Sequence, residues 1–209
     1  MTDDPAPRSD EDLAAFIVGP LTPLTTRIEL HPYDAAWPAA YAEHARRIRA
    51  ALGDRVRLLE HAGSTSVPGL AAKPIIDMVL EVPDSNDEPG YVPDLEAIGY
   101  ELRVREPDWY AHRMLRVLRD GRPVVHLHVF SAGCPETHRM LAFRDHLRTD
   151  PADLALYQRT KEELAAREWR HMQHYADAKS EVVADIMTRA LARADAQASS
   201  TERLERPKK

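Results

Sequence analysis

The stretch Glu60–Val82, EHAGSTSVPGLAAKPIIDMVLEV, places a run of small and hydroxyl residues shortly before a single Asp on an apolar segment. Its second part, IIDMVLEV (75–82), is β-branched, apolar and closed by Pro83, which predicts a buried strand. An ionised carboxylate among aliphatic residues is costly to bury alone, so Asp77 requires a partner. VRLLEHAG (56–63) predicts a strand before it, and the small-residue loop joins the two. Pro68 reads as lying near the start of a short helix, GLAAKP, ended by Pro74.

Backbone N–H groups at Gly63 and Ser64, with the hydroxyls of Ser64, Thr65 and Ser66, have the chemistry to hold a phosphate at a helix start. The same residues also suit an ordinary turn with a hydroxyl cap. In a strand, residues 77, 79 and 81 share a face, so Asp77 and Glu81 point the same way with Val79 between them. A phosphate cradle followed by a strand carboxylate is the arrangement that metal-dependent nucleotidyl transfer uses. A buried, hydrogen-bonded carboxylate is the plainer alternative.

His126-Leu127-His128 supplies the third element. Both imidazoles fall on one face of a strand, roughly 7 Å apart along it, and are candidates for metal ligation or general base catalysis. His61, two residues before Gly63, is a candidate to join them. In the helical half, Tyr157 and Lys161, then Tyr175 and Lys179, are each one turn apart. Lys73 and Arg144 are further candidate phosphate partners. The ordinary reading of all these side chains is a solvated helix face with snorkelling stems.

Outward from this centre, residues 1–26 are acidic and Pro-rich around an apolar LAAFIVG, predicting a flexible start and then a peripheral element. RIELHPYD predicts a short strand ending at Pro32. Asp34 suits the cap of a helix over AAWPAAYAEHARRIRAALG, which carries Trp37, Tyr41, Ala45, Ile48 and Leu52 on one face and ends at Gly53. DLEAIGYELR predicts a short helix and a strand. MLRVLRDGRPVVHLHVF predicts a hairpin turning at Arg119-Asp120-Gly121-Arg122. Helices follow from Glu136, with a cap at Asp150-Pro151 and a last helix from about Trp169 or His171. Residues 196–209 read as a disordered tail.

The 209 residues, 44% hydrophobic and 30% charged, suit a soluble globular protein of one large domain or one domain plus an appendage. The N-terminus lacks the basic and apolar segments of a signal peptide, and no apolar run reaches the roughly 20 residues of a membrane span, so a cytoplasmic location is expected. A net charge of −6 argues against tight nucleic-acid binding. The single cysteine, Cys134, excludes an internal disulfide and a multi-thiolate metal site, and reads as a surface thiol in SAGCPE.

The segments LHPYDAAWPAAYAEHA, EHAGSTSVPGLAAKPIIDMVLEV, IGYELR, HLHVF, LAFRDHLRTDPADLALYQRTKEELA and YADAKSEVVADIMTRA occur in an order that resembles the GrpB family, also called UPF0157. The resemblance covers roughly Arg27 to Ala194, within a domain of residues 27–195. It implies an α+β fold: a mixed β-sheet, nucleotidyltransferase-like (polymerase-β-like) core with appended C-terminal helices. It also implies that Gly63 and Ser64 hold nucleotide phosphates and that Asp77 is the first metal carboxylate. The usual second carboxylate is replaced by Val79, and a later one by the region of His126 and His128. A site of Asp77, His126, His128 and Glu81 suits Mn²⁺ or Zn²⁺ at least as well as Mg²⁺. In some bacteria the family domain is fused to dephospho-CoA kinase, which fits nucleotide-linked metabolism.

The expected activity is nucleotidyl transfer or adenylate-forming ligation from ATP or another NTP to a small-molecule acceptor, with a divalent metal as cofactor. Phosphates fall to Gly63, Ser64, Thr65, Ser66, Lys73, Arg144, Lys161 and Lys179. The metal and acceptor chemistry fall to Asp77, His126 and His128. A non-catalytic nucleotide-binding module and a metal-dependent hydrolase built on the His-x-His strand are the rivals. An apolar surface on the C-terminal helices would support a homodimer.

Overall fold

The computed structural model describes residues 8–120 and 122–204. Its sheet is built from β1 (Leu58–Ala62), β2 (Ile76–Val82), β3 (Glu101–Glu106), β4 (His112–Arg119) and β5 (Arg122–Ser131). Their spatial order is β1-β2-β5-β4-β3. The central pair β2 and β5 is parallel and the other three pairings are antiparallel, so the sheet is mixed. The helices are α1 (Asp10–Ala14), α2 (Trp37–Leu52), α3 (Val92–Ala97), α4 (Pro135–Thr149), α5 (Pro151–Ala165), α6 (Met172–Asp177) and α7 (Ser180–Leu204). The mixed α+β architecture with helices behind the sheet follows the sequence reading. None of the described helices is long and apolar enough to cross a membrane.

Strand alternation gives the two sheet faces different chemistry. Ile76, Met78, Leu80 and Val82 of β2 join Val125, Leu127 and Val129 of β5 in the main core. Trp37, Ala45, Ile48 and Leu52 of α2 close that core, as their spacing predicts, with Val92 and Leu95 of α3. The opposite face carries Asp77, Val79 and Glu81 of β2 beside His126, His128 and Phe130 of β5. Over the Val79–Phe130 end of this face, α4 lays Met140 and Leu141.

Several local expectations are corrected. RIELHPYD makes only an isolated bridge, His31 to Ala72, because Pro32 has no N–H to extend a ladder. GLAAKP is not a helix: Gly69 has a φ of +82° and the five residues between Pro68 and Pro74 sustain no helical ladder. The short 3₁₀ turn lies earlier, at Ser64–Ser66. The Asp34 carboxylate accepts from the Ala36 N–H at 2.8 Å, one turn ahead of the helix, whose first flanking residue is Ala36. From residue 8 onward the N-terminal segment is docked: Ser9 caps α1 in a reciprocal box with Asp12, Leu13 is fully buried, and Ile17 bridges Val104.

Cys134 is buried at the start of α4 rather than exposed. Asp150 caps α5 as expected, accepting from the Ala152 and Asp153 N–H groups. The last helix is broken into α6 and α7 around Ala178 and Lys179. Helix α7 continues to Leu204, because Ala, Gln, Arg and Glu in the expected tail are strong helix formers. Within the hairpin turn, Gly121 lies outside the described residues, as do residues 205–209.

Candidate functional site

Asp77 stands directly beside His126 in the β2–β5 register, its Oδ1 3.5 Å from the imidazole Nδ1. His128 follows two residues on, opposite Val79 and on the same face. Burial pushes the Asp77 carboxyl upward, but the contact to His126 and the neighbouring His126, His128 and Lys73 outweigh it and hold it below the usual carboxylate range. The sequence reading that Asp77 needs a partner is met by side chains of this chain.

Gly63 packs flat on that carboxylate. A Cβ built on Gly63 would lie 2.3 Å from Asp77 Oδ2 and 2.7 Å from its Cβ. Its φ of +63° with ψ of −171° is a region that side chains essentially do not enter. The glycine is therefore required by Asp77 and by the backbone, whatever else approaches the turn.

The hydroxyls after it divide. Thr65 donates to the Ile75 carbonyl at 3.1 Å and accepts from His61 Nε2. Ser66 donates to the Gly63 carbonyl at 2.6 Å, and its own carbonyl takes two bonds from Arg148. Both hydroxyls hold the turn rather than face a ligand. Ser64 remains half-buried and hydrogen-bonds the phenol of Tyr157, which burial pushes up to about 12.

Three lysines gather here. Lys161 is 2% exposed, points inward to the Ala71 carbonyl and lies over the Tyr157 ring. Lys73 and Lys179 lie over the ring of buried Tyr175 at 5.5 and 4.5 Å. Burial lowers all three, with neighbouring lysines adding to the effect on two of them: Lys73 to about 8 and Lys161 to about 7. All three are electrostatically coupled to Asp77. The solvated-face reading of these pairs is thereby corrected, since α5 and the α6–α7 junction turn them inward. Two other carboxylates act on the group. Glu162 is bonded to Gln158, and Asp177 to Gln173, with Arg8 at 3.5 Å.

Other expected members lie elsewhere. Glu81 is four strand residues from Asp77, about 13 Å along β2. It is buried and accepts from the Gly133 N–H at 3.0 Å, with Oε1 unpartnered. Arg144 is committed to Glu60, Asp145 and the His61 carbonyl. His61 points to the other sheet face, stacked on Tyr41, and burial lowers it to about 4. A tight His146–Asp150–Asp153 group occurs at the α4–α5 junction. There Asp153 is taken by His146 at 2.7 Å and by Arg189 through both carboxylate oxygens, which makes it a structural network.

Sequence reasoning missed Glu106 and His112. Glu106 of β3 pairs directly with His112 of β4, and His112 lies diagonal to His128, two residues from its partner Met114. A histidine at even spacing from the residue that faces His128 is the signal that could have found them.

A family model described as GrpB protein matches residues 27–189. The UPF0157 protein BH1888 of Halalkalibacterium halodurans is 53% identical over 88% of this chain and 93% of its own length. A dephospho-CoA kinase of Mycolicibacterium paratuberculosis is 30% identical over 66% of this chain and 40% of its own. The crystal structure of conserved protein GrpB from Enterococcus faecalis superposes with a TM-score of 0.69 at 31% identity, covering 79% of this chain and 98% of that one. The protein belongs to the GrpB family.

Proposed function

We propose that this site binds a nucleoside triphosphate through its phosphates and transfers the nucleotidyl group to a small acceptor, on a core of the nucleotidyltransferase kind. The observation carrying this reading is the set of three inward lysines that all interact with Asp77. Glu162 acts on Lys161 alone and Asp177 on Lys179 alone, so three ammonium groups share Asp77 in a low-dielectric setting, where a polyphosphate would add the counter-charge they favour. Ser64, paired with the Tyr157 phenol, adds a hydroxyl beside it.

Two protein ligands for a divalent cation are in place: Asp77 Oδ1 and His126 Nδ1 are 3.5 Å apart, while His128, on the same face, does not converge with them as a third. Mg²⁺ is commonly held by one or two carboxylates together with phosphates, and imidazole admits Mn²⁺ or Zn²⁺. Bound there, the ion would neutralise charge on departing pyrophosphate. In the transfer itself, an acceptor oxygen or nitrogen forms the bond to the α-phosphorus as the bond to pyrophosphate breaks. The acceptor's proton passes to an imidazole on the same sheet face. The lysines hold the phosphates in line.

Val79, fully buried where a second carboxylate would stand, favours a second reading: a nucleotide-binding module without transfer. Incubating the protein with each NTP, Mg²⁺ or Mn²⁺ and pooled small acids, amines and alcohols separates the readings. Pyrophosphate release with a nucleotidylated acceptor supports transfer. Bound nucleotide with no product supports the module, and inorganic phosphate or a cleaved ester points to hydrolysis.

A further inference from the structure

Three side chains run in series from the sheet edge to the site. Glu106 Oε2 meets His112 Nδ1 at 2.7 Å, and His112 Nε2 meets His128 Nδ1 at 3.0 Å. His112 is 4% exposed, stacked between His128 at 5.2 Å and Phe130 at 4.8 Å, with the Trp109 edge against it. These contacts fix its ring on every side.

Hydrogen-bond logic then sets the protons. An ionised carboxylate only accepts, so His112 carries its hydrogen on Nδ1. A neutral His112 offers a lone pair at Nε2, and the hydrogen in the next bond must come from His128 Nδ1. His128 therefore has no hydrogen on Nε2. A neutral imidazole carries a single hydrogen, and the 3.0 Å contact to His112 places it on Nδ1 of His128. An imidazole whose far nitrogen is fixed in this way is held in one tautomer and one orientation.

We propose that Glu106 and His112 are positioning residues that lock His128 as its Nδ1–H tautomer and present an unprotonated Nε2 on the face it shares with Asp77 and His126. The ligand class suited to that nitrogen is a hydrogen-bond donor, the hydroxyl or amine of an acceptor, or an imidazole-binding cation. The tautomer stands on the contacts alone; its use toward an acceptor rests on the nucleotidyl-transfer reading.

The test is two-bond ¹H–¹⁵N correlation NMR on protein labelled at histidine nitrogens, with His128→Gln assigning the signal. The expected result for wild type at neutral pH is a protonated Nδ1 and a bare Nε2 on His128. His112→Phe keeps the stacked ring but removes both nitrogens, and it is expected to shift His128 toward a mixture of tautomers. Glu106→Gln, whose amide both donates and accepts, is expected to do so in part. A wild-type His128 protonated at Nε2, or a His112 protonated at both nitrogens, overturns the proposal. So does a His112→Phe variant that remains folded by thermal melting yet keeps the wild-type pattern. None of these readouts requires turnover, so failure to find nucleotidyl transfer is distinguishable from failure of the lock. If transfer is found, His112→Phe lowers kcat while leaving KM for the nucleotide unchanged.

Discussion

Gly63 and Asp77 touch so closely that the glycine has no room for a side chain while the carboxylate is present: a Cβ on it would lie 2.3 Å from Oδ2. Gly63→Ala is expected to destabilise the protein by at least about 1–3 kcal/mol from the positive-φ backbone alone, before the clash is counted. In an Asp77→Ala background the penalty shrinks, because the carboxylate is gone. It does not vanish, because the Cβ at residue 77 stays 2.7 Å away and the φ is unchanged. Denaturant unfolding of the four proteins in the cycle reads this coupling directly; strict additivity would contradict it.

The inward lysines give stability a pH slope with a defined sign. Lys161 falls from 10.5 to about 7 on folding and Lys73 to about 8. Below about pH 7 both states hold these protons. Between there and about 10.5 the unfolded chain holds protons that the folded one releases, so these groups make stability rise with pH in that window. Unfolding free energy measured from pH 6.5 to 9.5 is expected to climb less steeply in Lys161→Met than in wild type. An unchanged slope would contradict the burial of this ammonium.

Anion binding reverses that loss of charge. A polyphosphate beside Lys161 and Lys73 favours their protonated forms, so nucleotide binding near pH 8 takes up protons and weakens as pH rises through 8 and above. Calorimetry of ATP binding in buffers of different ionisation enthalpy measures the proton count. Release of protons would be inconsistent with lysine-held phosphates.

Asp153 provides a contrasting carboxylate. It is buried, accepts from His146 and takes both oxygens to Arg189, so Asp153→Ala leaves a buried partner unpaired and is expected to cost about 3 kcal/mol. Nucleotide affinity at temperatures where the variant stays folded is expected to match wild type. A selective loss of affinity would move the site toward α4 and α5.

Much of this arrangement was legible in the sequence, for local reasons. The β-branched run around Asp77 and the turn-bounded hairpin fix the central strands, and strand parity alone puts Asp77, Glu81, His126 and His128 on faces that the register then confirms. What parity cannot give is separation along the strand in use: Glu81 shares the face but serves Gly133. Tertiary packing decided the rest. Lys161, Lys179 and Tyr157 look like a solvated face until α5 and α7 dock, and Arg144 looks free until Glu60 claims it. Glu106 and His112 needed the β3–β4–β5 pairing before their link to His128 existed.

The most direct measurement is equilibrium binding of ATP, GTP, CTP and UTP, with and without Mg²⁺ or Mn²⁺, to wild type, Lys161→Met and Asp77→Ala. Removing one charge-assisted contact of about 1.5–3 kcal/mol predicts roughly ten- to a hundredfold weaker binding in Lys161→Met. Its stability without nucleotide is expected to hold or improve, since the desolvation cost of a buried ammonium is removed. Asp77→Ala is expected to abolish the metal-dependent part of the affinity. Wild type binding no nucleotide under any of these conditions, or Lys161→Met binding as tightly as wild type, would contradict the lysine-gathered site as the place where phosphates are held.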